Sequence, residues 1–520
     1  MMFTRSAALP SGGEATPREA VSTVRRLRRL ALACLVLICV FVIAAGIAVA
    51  RMLPRRLDQW DVPRVGARPL AATSPPLRAA DGAPSAAAGS AAGPGVTMAG
   101  LTAALSALLS SPVLGSHVGI RVANLTTGQV LYSRDATSAF APASTTKLAT
   151  AVAALQVLGP AARFSTRVVV GSPVVGSSGA GGLGASIVLV GGGDPTLAAG
   201  KPPAADYPQP ATLAQLAAQT ARALHERGRD SVTVSYDTSL FTGPGMAPSW
   251  PDSYVTTGNV TPISSLEVDQ GRLTSGGAPE DADDPQNSRP RTLTPGLDAA
   301  RAFVGFLAAD GIHVDGGLVP AIAPSGAQTL ARVYSPPVAQ MAEQMLVESN
   351  NVIAENLARQ VAIASGEPAS FGGAAAAEMA AARNLGVTGV HLVDGSGLSP
   401  DDRITPAALV QLVGVAASPG HPRLRAAITG LPVAGFSGTL APGGSVFAVT
   451  GHAALGVVRA KTGNLDTVAA LAGTVYARDG QLLSFAAMAD QLGTGGLNPA
   501  GAQLARVATA LAGCGCRGPS

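Results

Sequence analysis

Residues 141–159 read Ala-Pro-Ala-Ser-Thr-Thr-Lys-Leu-Ala-Thr-Ala-Val-Ala-Ala-Leu-Gln-Val-Leu-Gly. Leu148, Val152, Leu155 and Leu158 recur at helical spacing, and Gly159-Pro160 ends the helix. Ser144 and Lys147 then stand at its N-terminus, three residues apart and on one face. A serine hydroxyl is a weak nucleophile until a base takes its proton. A lysine is such a base once burial or nearby positive charge lowers its pKa. The plainer alternative is a capping serine followed by a solvated lysine.

Upstream, Val118, Ile120 and Val122 alternate with small or polar neighbours. A turn at Thr126-Thr127-Gly128 leads into Val130 and Tyr132, which predicts a β-hairpin. From about Ser165 to Leu330 the texture changes to short strands (Arg167 to Val170, Ile187 to Val190), Gly-rich loops and one helix from about Thr212 to Arg227. Ser335-Pro336-Pro337 then reads as an N-cap with Pro opening a helix that runs to about Val347, and a second helix starts after Asn351. Near the end come a strand from Gly456 to Ala460, a hairpin over 468–489 and a helix from about Ala500 to Ala512. The pattern is an α/β body interrupted by a large β-rich insertion.

Two more short motifs carry chemistry. Ser349-Asn350-Asn351 lies between two helices, where a hydroxyl relays a proton and the Asn351 carboxamide holds a substrate amide. A helix C-cap followed by an N-cap explains the same residues. Lys461-Thr462-Gly463 ends a strand, where a cation and a hydroxyl bind a carboxylate and Gly lets a substrate backbone approach. A strand-terminal turn is the alternative.

The order SxxK, SxN, KTG resembles the penicillin-recognising active-site serine enzymes. The long gap from Ser144 to Ser349 is similar to that of the D-alanyl-D-alanine carboxypeptidases/endopeptidases of the peptidase S13 type, the class C low-molecular-mass penicillin-binding proteins. Gly192-Gly193-Asp194-Pro195-Thr196-Leu197, Asp237-Thr238-Ser239-Leu240-Phe241 with Trp250-Pro251, Asp394-Gly395-Ser396-Gly397-Leu398-Ser399 and Leu431-Pro432-Val433-Ala434-Gly435 look like further segments of that family. The resemblance runs from about Thr97 to Leu511.

It implies a penicillin-binding-protein/β-lactamase-like serine transpeptidase fold, an antiparallel sheet flanked by helices. The catalytic domain would comprise 97–165 and 331–516, with 166–330 inserted. The implied reaction is hydrolysis of the terminal D-Ala-D-Ala bond of peptidoglycan stem peptides, with cleavage of D-Ala cross-links also in view, through a serine acyl-enzyme that β-lactams block. Ser144 would be the nucleophile and Lys147 the base. Ser349 and Lys461 would handle the leaving-group proton, and Asn351 the peptide amide. Thr462 would hold the terminal carboxylate, Gly463 would flank it, and Asn464 would offer a backbone N–H to the oxyanion. Asp237 would read the amino group of the stem's third residue, although a loop-capping role accounts for it nearly as well. Many relatives carry Thr or Ser where this chain has Asn464. A related β-lactamase or esterase, and a non-catalytic wall-binding protein, are the competing expectations.

Composition bounds the rest. The chain has 520 residues, 47% hydrophobic, enough for two to four domains. A net charge of +4 argues weakly for nucleic acid, and none is expected as a partner. Scattered histidines and no Cys/His spacing give no reason to expect a metal or cofactor. Cys514 and Cys516 are too close for an easy disulfide. Ala31 to Ala50 is an unbroken apolar run, about 30 Å as a helix, preceded by Arg25, Arg26, Arg28 and Arg29. It predicts a single-pass bacterial membrane anchor over 31–50. A cytoplasmic tail over 1–30 precedes it, and a Pro/Ala/Gly-rich linker over 51–96 leads to an extracytoplasmic catalytic part. Ala48-Val49-Ala50 resembles a cleavage site, which would release that part. Only Lys147, Lys201 and Lys461 are lysines among 36 basic residues, so two of the three fall in SxxK and KTG.

Overall fold

The computed structural model describes residues 97–172, 185–202, 206–273, 289–442, 446–447, 452–493 and 496–514. The expected anchor, tail and linker lie outside these residues. Among the described residues no helix is long and apolar enough to cross a membrane.

The described residues begin with α1 (Met98–Leu109), β1 (Val118–Asn124) and β2 (Val130–Arg134). A 3₁₀ turn over Ala143–Thr146 runs into α2 (Lys147–Val157). Then come β3 (Ser165–Val170), β4 (Ser186–Val190), α3 (Leu213–His225), β5 (Ser231–Asp237), α4 (Pro295–Ala309), β6 (His313–Pro320) and β7 (Thr329–Tyr334). The chain returns through α5 (Val338–Glu348), α6 (Asn351–Ala364), α7 (Phe371–Asn384), two-residue strands β8 (Val390–His391) and β9 (Arg403–Ile404), and α8 (Pro406–Ala417). It ends with β10 (Val458–Leu465), β11 (Val468–Tyr476), β12 (Leu482–Ala489) and α9 (Leu497–Gly513).

The first sheet is antiparallel, ordered β10-β11-β12-β1-β2, so the first and last strands of the described residues share it. Strand residues alternate between faces. In β12, Leu483, Phe485, Ala487 and Ala489 pack with Leu101, Leu105 and Leu504 of α1 and α9. Ala486 and Met488 of the same strand point the other way, into a core with α2, α5, α6 and α8. Helices therefore cover both faces, and β11 and β12 are buried almost throughout. That explains why both strands read as mostly apolar, with only Thr474 and Ser484 polar in their buried parts. The core on the α2 side holds much alanine, which lets helices approach closely.

The second sheet is ordered β6-β5-β4-β3-β7 and mixed: β4-β5 and β5-β6 are parallel, the other pairs antiparallel. A parallel pair needs a crossover, and α3 and α4 supply the two crossovers. Both helices pack on one face through Leu213, Leu216, Ala217, Phe303 and Leu307. The insertion is thus a five-stranded sheet with two helices on one face, and the chain enters it at Ser165 and leaves it at Tyr334.

Two local expectations change. Pro337, not Ser335, caps α5. The Ser335 hydroxyl instead accepts the Phe164 N–H and donates to the Pro336 carbonyl, tying the two ends of the insertion together. Cys514 is disulfide-bonded, contrary to expectation, and its partner falls outside the described residues.

Candidate active site

Lys147 opens α2 and is fully buried. Its Nζ lies 3.0 Å from Ser144 Oγ, 2.7 Å from Asn351 Oδ1 and 2.7 Å from the Ser396 carbonyl. Ser144 itself is half-buried. A neutral amine has two hydrogens and one lone pair. The Ser396 carbonyl can only accept. The Asn351 carboxamide also accepts here, because its Nδ2 donates to the Asn259 carbonyl at 2.9 Å and so fixes which end faces Lys147. With both hydrogens taken, the lone pair points at Ser144 Oγ.

Burial pushes the Lys147 pKa down to about 7, the charges of Asp394, Glu355 and Asp402 acting in the opposite direction. The amine must be neutral to accept the Ser144 proton, so kcat/KM should rise as pH increases through about 7. A pH profile of acylation checks this; a flat profile between pH 5 and about 9 would contradict it.

Ser349 caps α5 in the left-handed conformation, φ 59°. Asn350 caps α6, its Oδ1 accepting the Ile353 N–H. The double-cap explanation of this motif is therefore correct in geometry, and it also serves the site. The tight turn projects Ser349 Oγ to 2.8 Å from Lys461 Nζ and sets Asn351 beside Lys147. A non-Gly residue held at positive φ is a strained position of the kind that clusters at functional sites.

Lys461 is fully buried in β10, the edge strand, and its Nζ also donates to the Thr462 carbonyl at 2.9 Å. Burial first, and then the charge of Lys147, hold its pKa well below the usual lysine value. Thr462 Oγ1 lies 3.2 Å from Thr439 Oγ1, giving two adjacent hydroxyls. The Ala460 N–H leaves the sheet to reach the Pro432 carbonyl, so with a period of two the Thr462 and Asn464 N–H groups also face the free edge.

Gly463 has a packing role that its sequence context did not show. A Cβ there would come 2.4 Å from the Pro142 carbonyl and 3.2 Å from Thr145 Cγ2. The glycine lets the turn carrying Ser144 pack on β10, so its small size serves that turn. Asp237 ends β5 in the second sheet, and its oxygens accept the Ser239 and Ala323 N–H groups at 2.8 and 2.7 Å. This is loop capping. Asp237 lines a cavity of about 320 Å³ with Arg167, Ser239, Leu240 and Gln360. No hydrogen bond joins it to Ser144, Lys147, Ser349, Asn351 or Lys461. Lys201 is exposed and takes no part.

The structure thus brings together Ser144, Lys147, Ser349, Asn351, Lys461 and Thr462. Sequence reasoning gave no role to the Ser396 and Asn259 carbonyls or to Thr439. Ser396 lies in a quoted segment, but a backbone acceptor leaves no mark in residue type.

The family model described as D-Ala-D-Ala carboxypeptidase 3 (S13) matches residues 101–286 and 272–511. A carboxypeptidase of Mycobacterium tuberculosis is 40% identical over 424 residues, covering 80% of this chain and 85% of its own. A D-alanyl-D-alanine carboxypeptidase of an Actinomadura species is 31% identical over 438 residues, 73% of this chain and 79% of its own. In fold, the crystal structure of penicillin-binding protein 4 from Haemophilus influenzae superposes with a TM-score of 0.61 at 22% identity, covering 78% of this chain and 97% of that one. Motif order, side-chain geometry and these similarities agree: the chain belongs to the D-Ala-D-Ala carboxypeptidase S13 family.

Proposed function

We propose that this enzyme, a serine-type D-Ala-D-Ala carboxypeptidase, works through the Ser144 acyl-enzyme. The single observation that carries the mechanism is the three-point hold on Lys147 beside the Ser144 hydroxyl. Ser144 attacks the carbonyl between the two terminal D-alanines of a peptidoglycan stem peptide while Lys147 takes its proton. The backbone N–H groups of Ser144 and Asn464 face the developing oxyanion. Ser349 carries a proton to the leaving amine, polarised by Lys461. Thr462, with Thr439 beside it, holds the terminal carboxylate. The second hydrogen of Asn351 Nδ2 remains for the peptide carbonyl. Water then releases the acyl group. A β-lactam is attacked in the same way, and its acyl-enzyme persists.

Three further points belong to the proposal. The enzyme also opens D-Ala cross-links. Residues 31–50 anchor it to the bacterial membrane with the catalytic part outside. Asp237 meets a cationic end of the stem's third residue, since each of its oxygens has accepted one N–H and keeps a lone pair.

Incubation with a stem pentapeptide and with a defined cross-linked muropeptide, followed by mass spectrometry, tests the function. The expected products are free D-alanine from the first and separated stems from the second. Wall-material binding with no product from either substrate would contradict the proposal.

A further inference from the structure

Lys147 is aimed by a backbone carbonyl, and what fixes that carbonyl lies deeper in the protein. The turn Asp394–Ser399 carries it, and a buried set of carboxylates holds the turn. Glu355 Oε1 accepts the Gly395 and Ser396 N–H groups at 3.1 and 2.8 Å. Asp394 Oδ1 accepts Ser396 and Gly397 N–H at 3.2 and 2.6 Å, and its Oδ2 accepts Ser399 N–H and Trp250 Nε1–H at 2.6 and 2.8 Å. Glu355, Asp394 and Ser396 are fully buried.

The turn is docked on α2 at successive points. The Ser396 carbonyl meets Lys147 Nζ, and the Gly395 carbonyl accepts the Thr150 hydroxyl at 2.6 Å, three residues further along the same helix face. Gly397, φ 80°, lies so close that a Cβ would stand 1.9 Å from the Ala143 carbonyl, next to the nucleophile.

We propose that Glu355 is a positioning residue for the general base: by gripping the Gly395 and Ser396 N–H groups it fixes the Ser396 carbonyl that, with Asn351, directs the Lys147 lone pair at Ser144. Glu355 touches neither Ser144 nor substrate. It sits on the second turn of α6, one helical turn after Asn351, so one helix supplies both of the acceptors' supports. The inference rests on the acyl-enzyme reading above.

Charge enters separately from grip. The groups facing Lys147 are Glu355 from α6, Asp394 and Asp402 from the turn region, and Lys461 from β10, with Glu378 of α7 facing Glu355. Burial first, and then the charge of Asp394, push the Glu355 carboxyl up to about 7, while Arg359, 3.7 Å away on the same helix, pulls it down. Where Glu355 is ionised it raises the Lys147 pKa, so its removal lowers that pKa.

The test measures pre-acylation binding and the acylation step separately for fluorescent penicillin, across pH, on the full-length protein. E355Q keeps an acceptor oxygen, so acylation at the optimum should stay within about threefold of the parent while the acid limb moves to lower pH. E355L removes the grip, and acylation should fall about 10²-fold with initial binding unchanged. T150V removes the docking bond, and with it the hydroxyl partner of Glu378, without removing a charged residue, and should slow acylation about tenfold with the acid limb in place. It decides alone if the Glu355 variants do not fold. Acylation of folded E355L or T150V at the parent's rate overturns the inference, as does a loss in E355Q equal to that in E355L. A parent protein that penicillin does not acylate would instead refute the acyl-enzyme reading itself.

Discussion

Lys147→Met should lower the rate of acylation by penicillin by about 10³–10⁴-fold, the largest loss expected from any residue other than the nucleophile. Methionine has similar length and tolerates the buried site. It offers no lone pair basic enough to take the Ser144 proton. Lys147→Arg should fail as severely, because a guanidinium stays protonated at any working pH. The loss should appear in the acylation step and not in initial binding, since the Thr462 and Thr439 hydroxyls remain. Stopped-flow acylation kinetics on the purified variants measure both. An acylation rate within about tenfold of the parent would move the base to another group.

Ser349→Ala comes next, with an expected loss of about 10²–10³-fold. Its hydroxyl is the acceptor for Lys461 Nζ, and the αL turn presents it on the open side of the site. Without it the leaving group has no proton path, and Lys461 keeps the Thr462 carbonyl as its remaining acceptor. Alanine and serine tolerate that turn about equally, so lost hydrogen bonding and not altered backbone should account for the change. Release of D-alanine from a stem pentapeptide, compared at matched occupancy, checks it. Unchanged turnover would assign the relay elsewhere.

The site was legible because its chemistry is written in side chains at fixed spacing. SxxK fell at a helix start, SxN between two helix caps and KTG on an edge strand, and a chain with three lysines keeps two of them buried there. The β1-β2 hairpin, α2, α3 and the β11-β12 hairpin were legible through alternation, turn residues and helical period. Helices α7 and α8 were not. Their sequences, Phe371–Asn384 and Pro406–Ala417, are Ala-rich or apolar all round, so no polar face marks a period of 3.6. The parallel pairs of the second sheet escaped for another reason: a crossover is decided by where α3 and α4 pack, not by any local signal. Glu355 was hidden in the same way. A glutamate in mid-helix reads as a solvent-facing residue, yet α6 is buried from Val352 through Ala362. The close approach of the Pro142 carbonyl to Gly463 was hidden as well, because a sequence does not say which backbone will come near a glycine.

The most direct measurement is digestion of the penicillin-treated protein followed by mass spectrometry of its peptides. The account predicts one penicilloyl adduct, on the Ser144 hydroxyl, and none in the Ser144→Ala protein. An adduct on any other residue, or labelling that survives the alanine substitution, would contradict it.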